Sequence, residues 1–504
     1  MSNKEQQSIG NFIKILRQKK GFTQKEFAKL LKTSQSAVAR MEGGGQNFTL
    51  AELQKVSNVL NHQLVTISDS VDFEVEGGHK LSGSITTNTS KNGALHVLMA
   101  SLINKGTTTI HDVPRIEEIF RVIEVFDSIG VSVKWTSERT LAVKPPKEFN
   151  LKGLEHESTG RVRSMLMSIG ALIYTHEEFR MPHAGGCKMG ERTIAAHRYG
   201  LMEFGVKVET RKDAYHVSSK KLKAADFVMY EAGDTAATNL LIAASGIAGE
   251  STIRFAPSNY MVQDVCFFLQ SLGVQIEGVG TSTLRVTGLK EIKKDIDVYV
   301  GEDPIESMLF ITAAAITGSQ LEIKRCPIDF LALELLKLKT MGLKFKKTEV
   351  YIAKNGGMRL VDLTIMPSKL KAAEDKIHAL PYPGINIDNL PFFVPIAALA
   401  KGTTLIHDWT WENRAIYFAE LNRLGANVQV ADPHRVFIEG VSELKAAQVV
   451  CPPALRPAAI ILIAMLAAPG KSVLRNVYTI ERGYQDLAKR LSSIGAKVKV
   501  IKRM

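Results

Sequence analysis

FDSIGVSV, residues 126–133, closes a helical run of apolar residues with a glycine and opens an alternating strand, and the phrase returns five more times. It reads LMEFGVKV at 201–208, LQSLGVQI at 269–276, LKTMGLKF at 338–345, LNRLGANV at 421–428 and LSSIGAKV at 491–498. A glycine just past the last helical turn suits the left-handed cap conformation, which other residues enter only at a cost. The six glycines are spaced by 75, 68, 69, 83 and 70 residues. A second phrase of turn, strand and turn accompanies them: KGTTTIHDVP at 105–114, AGESTIRFAP at 248–257, TGSQLEIKRCP at 317–327, KGTTLIHDWT at 401–410 and PGKSVLRNVY at 469–478. Six helix–strand–helix–strand units of about 70 residues form an internal repeat far longer than solenoid repeats. The pattern therefore predicts six folded α/β subunits grouped into globular domains.

A chain of 504 residues exceeds one core and suggests two to four domains. The net charge of +13 predicts attraction to anions, whether nucleic acid or phosphorylated small molecules. The four cysteines, Cys187, Cys266, Cys326 and Cys451, lack C-x-x-C spacing, which argues against zinc and a disulfide framework. MSNKEQQSIG carries no apolar signal region, and the apolar run Ala458–Ala468 is too short to span a bilayer. The expectation is a cytoplasmic protein with no membrane partner.

Residues 1–69 stand outside the repeat, with 10 Lys+Arg against 5 Asp+Glu. Ile9–Lys20 has an amphipathic helical period that Gly21 stops. Thr23 is placed to cap TQKEFAKLLK, with Glu26 completing a capping box. Ser34 caps SQSAVARMEGG, and LAELQKVSNVL supplies a fourth helix. L-R-x-x-x-G-x-T-Q-x-x-x-A followed by S-Q-x-x-V-A-R-x-E resembles the lambda-repressor-like helix-turn-helix family, whose third helix enters the DNA major groove. The resemblance implies base or phosphate contacts from Gln35, Ser36 and Arg40 and a backbone-phosphate contact from Gln24. A protein-interaction module is the alternative. Residues 61–70 read as a polar linker.

Chemistry concentrates at a few places in the repeats. In PHAGGCKMGERT, 182–193, Cys187 lies among glycines with Lys188 and Arg192 beside it, and neighbouring cations raise thiolate character. Lys91 and Asn92 open an apolar helix in TSKNGAL, a placement that suits an anion. Asp388 in GINIDNLPFF precedes another apolar helix and, taken alone, reads most simply as a cap. Arg161 and Arg163 in GRVRSML, Arg456 in ALRPAA and Arg482 in TIERGYQDL sit at helix starts among small residues, as phosphate or carboxylate recognition requires.

Taken in order, L-S-G-S-I at 81–85, S-K-N-G-A-L at 90–95, G-G-C-K-M-G-E-R at 185–192, D-P-I-E-S at 303–307, W-E-N-R at 411–414, L-G-A at 424–426, L-R at 455–456 and R-G-Y at 482–484 resemble the enolpyruvyl transferase family. The cysteine loop is similar to that of its UDP-N-acetylglucosamine 1-carboxyvinyltransferases rather than its shikimate-pathway branch. The resemblance implies two three-repeat domains, inside-out α/β barrels, with the site between them. It also implies a discontinuous domain of 71–90 plus 302–504, a second of 91–301, and a hinge near Lys91 and Asn92. It assigns Asp388 as base and Cys187 as acid, and Lys91, Arg163, Arg192 and Arg482 to the anionic substrate phosphoenolpyruvate. It places Asn92, Asp388 and the segment Asp234, Thr235 and Ala236 against the UDP-sugar, with Arg414 and Arg456 as further substrate contacts. No metal or organic cofactor is implied.

The sequence departs from that family in places. Glu117 stands where a Lys is usual, Pro304 where D-R-I-E has its Arg, Ala454 where an Asp precedes the matching Arg456 by two, and Thr193 where a Pro follows Arg192. A carboxylate in place of a cation would cost anion affinity if it faced substrate. Two readings follow: an active transferase with a DNA-binding N-terminal domain that pairs as a homodimer, or a regulator whose transferase fold senses a UDP-sugar or phosphoenolpyruvate with little turnover.

Overall fold

The computed structural model describes residues 3–45, 48–60, 71–153, 162–183, 185 and 193–502. All six repeat glycines enter the left-handed region, with φ of 87°, 87°, 101°, 95°, 80° and 92° at Gly130, Gly205, Gly273, Gly342, Gly425 and Gly495. Each therefore turns a helix sharply into its strand, as the repeat predicts. Among the described residues six separate sheets follow, four of them with four strands; five combine antiparallel pairs with one parallel pair, and the three-stranded sheet of Glu178–Met181, Val206–Thr210 and Tyr215–Ser219 is antiparallel throughout. In the first, Val71–Gly77 pairs antiparallel with both Gly470–Arg475 and Lys497–Lys502, so the start of the repeat region is stitched to its end.

The sheets lie outside and apolar helices inside. Pro304–Ile316 is buried along its whole length, and Leu455–Ala467 and Asp234–Gly246 nearly so. This is the inside-out α/β arrangement. One hydrophobic core draws on residues between Ala94 and Val300, joined by Phe330, Ala353, Met358 and Leu360. Another draws on Val71–Ile85 and residues from Ile305 to Ala496. The backbone passes between them twice, on either side of Ser90 and of Gly301, where Ser90 N donates to Gly301 O at 2.8 Å.

A third core, built from Ile13, Leu16, Phe27, Leu31, Val38, Val56 and Leu60 among others, belongs to four N-terminal helices. These are α1 (Asn3–Lys19), α2 (Gln24–Leu30), α3 (Gln35–Glu42) and α4 (Leu50–Leu60). The Thr23–Glu26 capping box and the Ser34 cap are both present. A further capping box, Thr49 with Glu52, starts α4; the sequence reading missed it. α1 begins at Asn3, well before Ile9, because its first turns are polar and carry no apolar period. Residues 61–70, read as a linker, lie outside the described residues.

Candidate active site

Lys91 opens the buried helix α5 (Lys91–Ser101), which Ser90 caps by accepting from Gly93 N at 3.1 Å. The next residue, Asn92, donates from Nδ2 to the Tyr260 hydroxyl at 3.2 Å. Asp234 opens the helix Asp234–Gly246, and its carboxylate accepts from Asn259 Nδ2 at 3.1 Å. Thr235 meets His197 Nε2 at 3.2 Å. Ala236 is 1% exposed, so it offers a ligand little beyond backbone. Arg163 donates to Thr193 O at 2.9 Å and so ties down the exit of the cysteine loop. Cys187, Lys188, Arg192 and Arg161 themselves lie outside the described residues.

Asp388 comes from the other core. Its carboxylate is not a helix cap: Oδ2 accepts from Arg456 Nη2 at 3.0 Å, and Oδ1 lies 3.8 Å from Arg414 Nη1. Burial pushes this carboxyl up, but Arg456, Arg414 and Lys91 together outweigh it and hold it below the ordinary carboxylate range. Lys91 acts on Asp388 from across the cleft, and Asp388 in turn acts on Asp234, whose carboxyl burial raises to about 6. Asn386 Nδ2 spans the cleft to Asn259 Oδ1 at 3.5 Å. The structure thus brings Lys91, Asn92, Asp234, Asp388 and Arg456 to one place. Arg482, on the short helix Tyr478–Gly483, joins them through its charge, which acts on Glu118 alongside those of Lys91 and Arg456.

Arg414 is 1% exposed, pairs with the fully buried Asp408 and donates to Ile387 O at 2.7 Å, so its guanidinium is held behind the Asp388 loop. Gln24 likewise turns inward, donating to Glu42 Oε2 at 2.9 Å beside the buried Arg17–Glu42 pair, whereas Gln35, Ser36 and Arg40 on α3 are exposed.

The departures also resolve. Glu117 is buried at the start of α6 (Glu117–Ser128), 3.6 Å from Arg121, and shares a hydrogen bond with Tyr478. The carboxylate that faces the cations is its neighbour Glu118, which pairs directly with Lys91. Burial raises Glu118, yet Lys91, Arg482 and Arg456 pull it net downward, so it stays ionised. Sequence reasoning passed over Glu118; the doubled Glu before an apolar helix was the available signal. Ala454 holds the N-cap position of Leu455–Ala467 and provides no side-chain cap. Pro304 occupies the first turn of its helix, where its missing N–H costs nothing, and Asp303 caps it through Ile305 N at 2.8 Å.

Comparison with known proteins agrees with this geometry. The family model for EPSP synthase (3-phosphoshikimate 1-carboxyvinyltransferase) matches residues 75–491, and a helix-turn-helix model matches 13–64. The UDP-N-acetylglucosamine 1-carboxyvinyltransferase of Bradyrhizobium diazoefficiens is 32% identical over 437 residues, covering 85% of this chain and 98% of that protein. The protein of the same name from Borreliella burgdorferi is 30% identical over 436 residues, covering 85% and 99%. The crystal structure of the enolpyruvyl transferase NikO from Streptomyces tendae superposes with a TM-score of 0.73 at 23% identity, over 86% of this chain and all of that one. The chain belongs to the EPSP synthase family of enolpyruvyl transferases, and it carries a helix-turn-helix domain ahead of the transferase fold.

Proposed function

We propose that this chain transfers the enolpyruvyl group of phosphoenolpyruvate to the 3-hydroxyl of UDP-N-acetylglucosamine, a step in peptidoglycan precursor synthesis. The observation that carries the proposal is Asp388: a half-buried carboxylate kept ionised by Arg456, Arg414 and Lys91, with Asp234 also within its electrostatic reach. An ionised carboxylate among cations at the domain cleft is placed to accept a hydroxyl proton. The sugar oxygen then bonds to C2 of phosphoenolpyruvate while C3 gains a proton, for which the resemblance assigns Cys187. In the second step C3 loses a proton, the C2–O bond to phosphate breaks and the enol ether forms. Lys91, Arg163, Arg192 and Arg482 hold the phosphate and carboxylate, where charge develops. Asn92 and the Asp234–Ala236 helix start hold the UDP-sugar. The relatives' shared name and the glycine-rich cysteine loop support this acceptor over shikimate 3-phosphate.

The second reading, a sensor with little turnover, draws on one feature. Glu118 already occupies Lys91, so an incoming anion must displace a carboxylate before it binds. The test is phosphate release from phosphoenolpyruvate with and without UDP-N-acetylglucosamine. Release that depends on both substrates supports the transferase; binding of both without release supports the sensor. The exposed α3 residues and the excess positive charge of residues 1–69 support binding to duplex DNA, and paired half-sites would make the binding unit a homodimer.

A further inference from the structure

One helix touches both halves of this molecule. The first turn of α6 presents Glu118 to Lys91, and its last turn presents Asp127, which pairs with Lys20 just past the end of α1. The helix is ~18 Å long, at about 1.5 Å per residue. Arg121 sits on its buried side, 3.6 Å from Glu117 and 3.0 Å from Glu124, so the successive turns are tied together and move as one piece. Asp127 is largely buried, and burial lifts its carboxyl to about 6 against the pull of Lys20. Beside this pair, a cavity of about 1160 Å³ separates the helix-turn-helix domain from the transferase. Phe22, Leu30 and Val59 line it from one side, Phe120 and Trp135 from the other, and it reaches Arg482 at the rim of the active site. The docked face excludes α3, whose Gln35, Ser36 and Arg40 remain exposed.

We propose that α6 couples the anion site to the helix-turn-helix domain, so that binding of phosphoenolpyruvate with the UDP-sugar loosens the Lys20–Asp127 dock, which holds α3 facing outward for DNA, and weakens DNA binding. This rests on the function proposed above. An anion held by Lys91 and Arg482 takes away the partner of Glu118 and places a like charge beside it. The start of α6 then withdraws, and a stiff helix carries that displacement to Asp127. The two affinities must be reciprocally linked. The cavity leaves room for the domain to shift without unfolding either core.

The test uses the full chain and a duplex that it selects from a random-sequence pool. Its DNA dissociation constant is measured by fluorescence anisotropy at fixed salt, with and without saturating phosphoenolpyruvate plus UDP-N-acetylglucosamine, and ligand uptake is followed by calorimetry. Coupling of ordinary strength raises the dissociation constant about fivefold or more. Asp127→Asn should abolish that response and leave turnover unchanged. The swapped pair Lys20→Asp with Asp127→Lys should restore it, which a merely structural role would not do. Ligand uptake with an unchanged DNA dissociation constant would overturn the coupling alone. Absence of ligand uptake would overturn the transferase reading together with it.

Discussion

Asp388 stands under opposing influences: burial penalises its charge, and three cations restore it. Asp388→Asn keeps the shape and removes the negative charge. Turnover should fall roughly a hundredfold or more, with UDP-sugar binding by calorimetry weakened far less. Near-normal turnover would mean the carboxylate only holds Arg456 in place. The thiols offer a second check. Cys266, Cys326 and Cys451 are buried, and burial pushes each up to about 12, so they are poor nucleophiles. Brief treatment with an epoxide or iodoacetamide should therefore modify Cys187 first, as mapped by mass spectrometry; earlier labelling of another cysteine would remove the basis for its acid role. Lys91, Asn92 and Arg456 stood out because each sits at the start of an apolar helix. At Arg414 sequence shows an arginine but not Asp408, the buried carboxylate that pairs with it. Glu118 was missed because the adjacent Glu117 drew attention as the departure from the family pattern, and only the direction of a helix start tells which of two neighbours faces the cleft.

The repeat glycines show how far an element can be read from sequence. Their left-handed caps follow from one local rule applied six times, and all six appear. What the rule cannot give is the space beside each cap. A Cβ at Gly205 would meet Lys221 O at 2.5 Å, whereas one at Gly495 would meet nothing closer than 3.7 Å. Gly495→Ala should thus destabilise by only the left-handed backbone term, ~1–2 kcal/mol, and Gly205→Ala by clearly more, both measured by denaturant unfolding. Equal losses would show that the segment around Lys221 yields freely. The caps at Thr23 and Ser34 were equally readable, since a Ser or Thr before an apolar period is itself the signal. The start of α1 was not, because polar turns carry no period.

At the level of the whole molecule, the two transferase cores meet at a crossing where Asp264 is buried. Asn355 Nδ2 donates to its Oδ1 at 2.9 Å, while Oδ2 finds no partner among the described residues. Burial raises this carboxyl to about 7, with Glu302 nearby adding to the effect. The folded value lies above the unfolded one near 3.9. The folded state therefore holds the proton more tightly, and the resulting stability is present below about pH 4 and lost as pH rises through about 7. Asp264→Asn should increase the unfolding free energy at pH 8 by an amount on the order of a few kcal/mol, seen as a higher melting temperature, and leave it nearly unchanged at pH 4. An equal shift at both pH values would assign the effect to packing instead. Six repeat units and a separate helical module were foreseeable from the recurring phrase and from residues 1–69 standing outside it, and two cores from the family resemblance, but the contacts that join them involve Lys20, Asp127, Asp264 and Asn355, residues far apart in sequence and ordinary in any one phrase. The most direct measurement of what the whole molecule does is inorganic phosphate release from phosphoenolpyruvate by the purified full chain, followed with and without UDP-N-acetylglucosamine. An enolpyruvyl transferase of this kind should release phosphate only when both substrates are present, in step with formation of the enolpyruvyl UDP-sugar. No phosphate from the intact chain, with calorimetry showing both substrates bound, would contradict it.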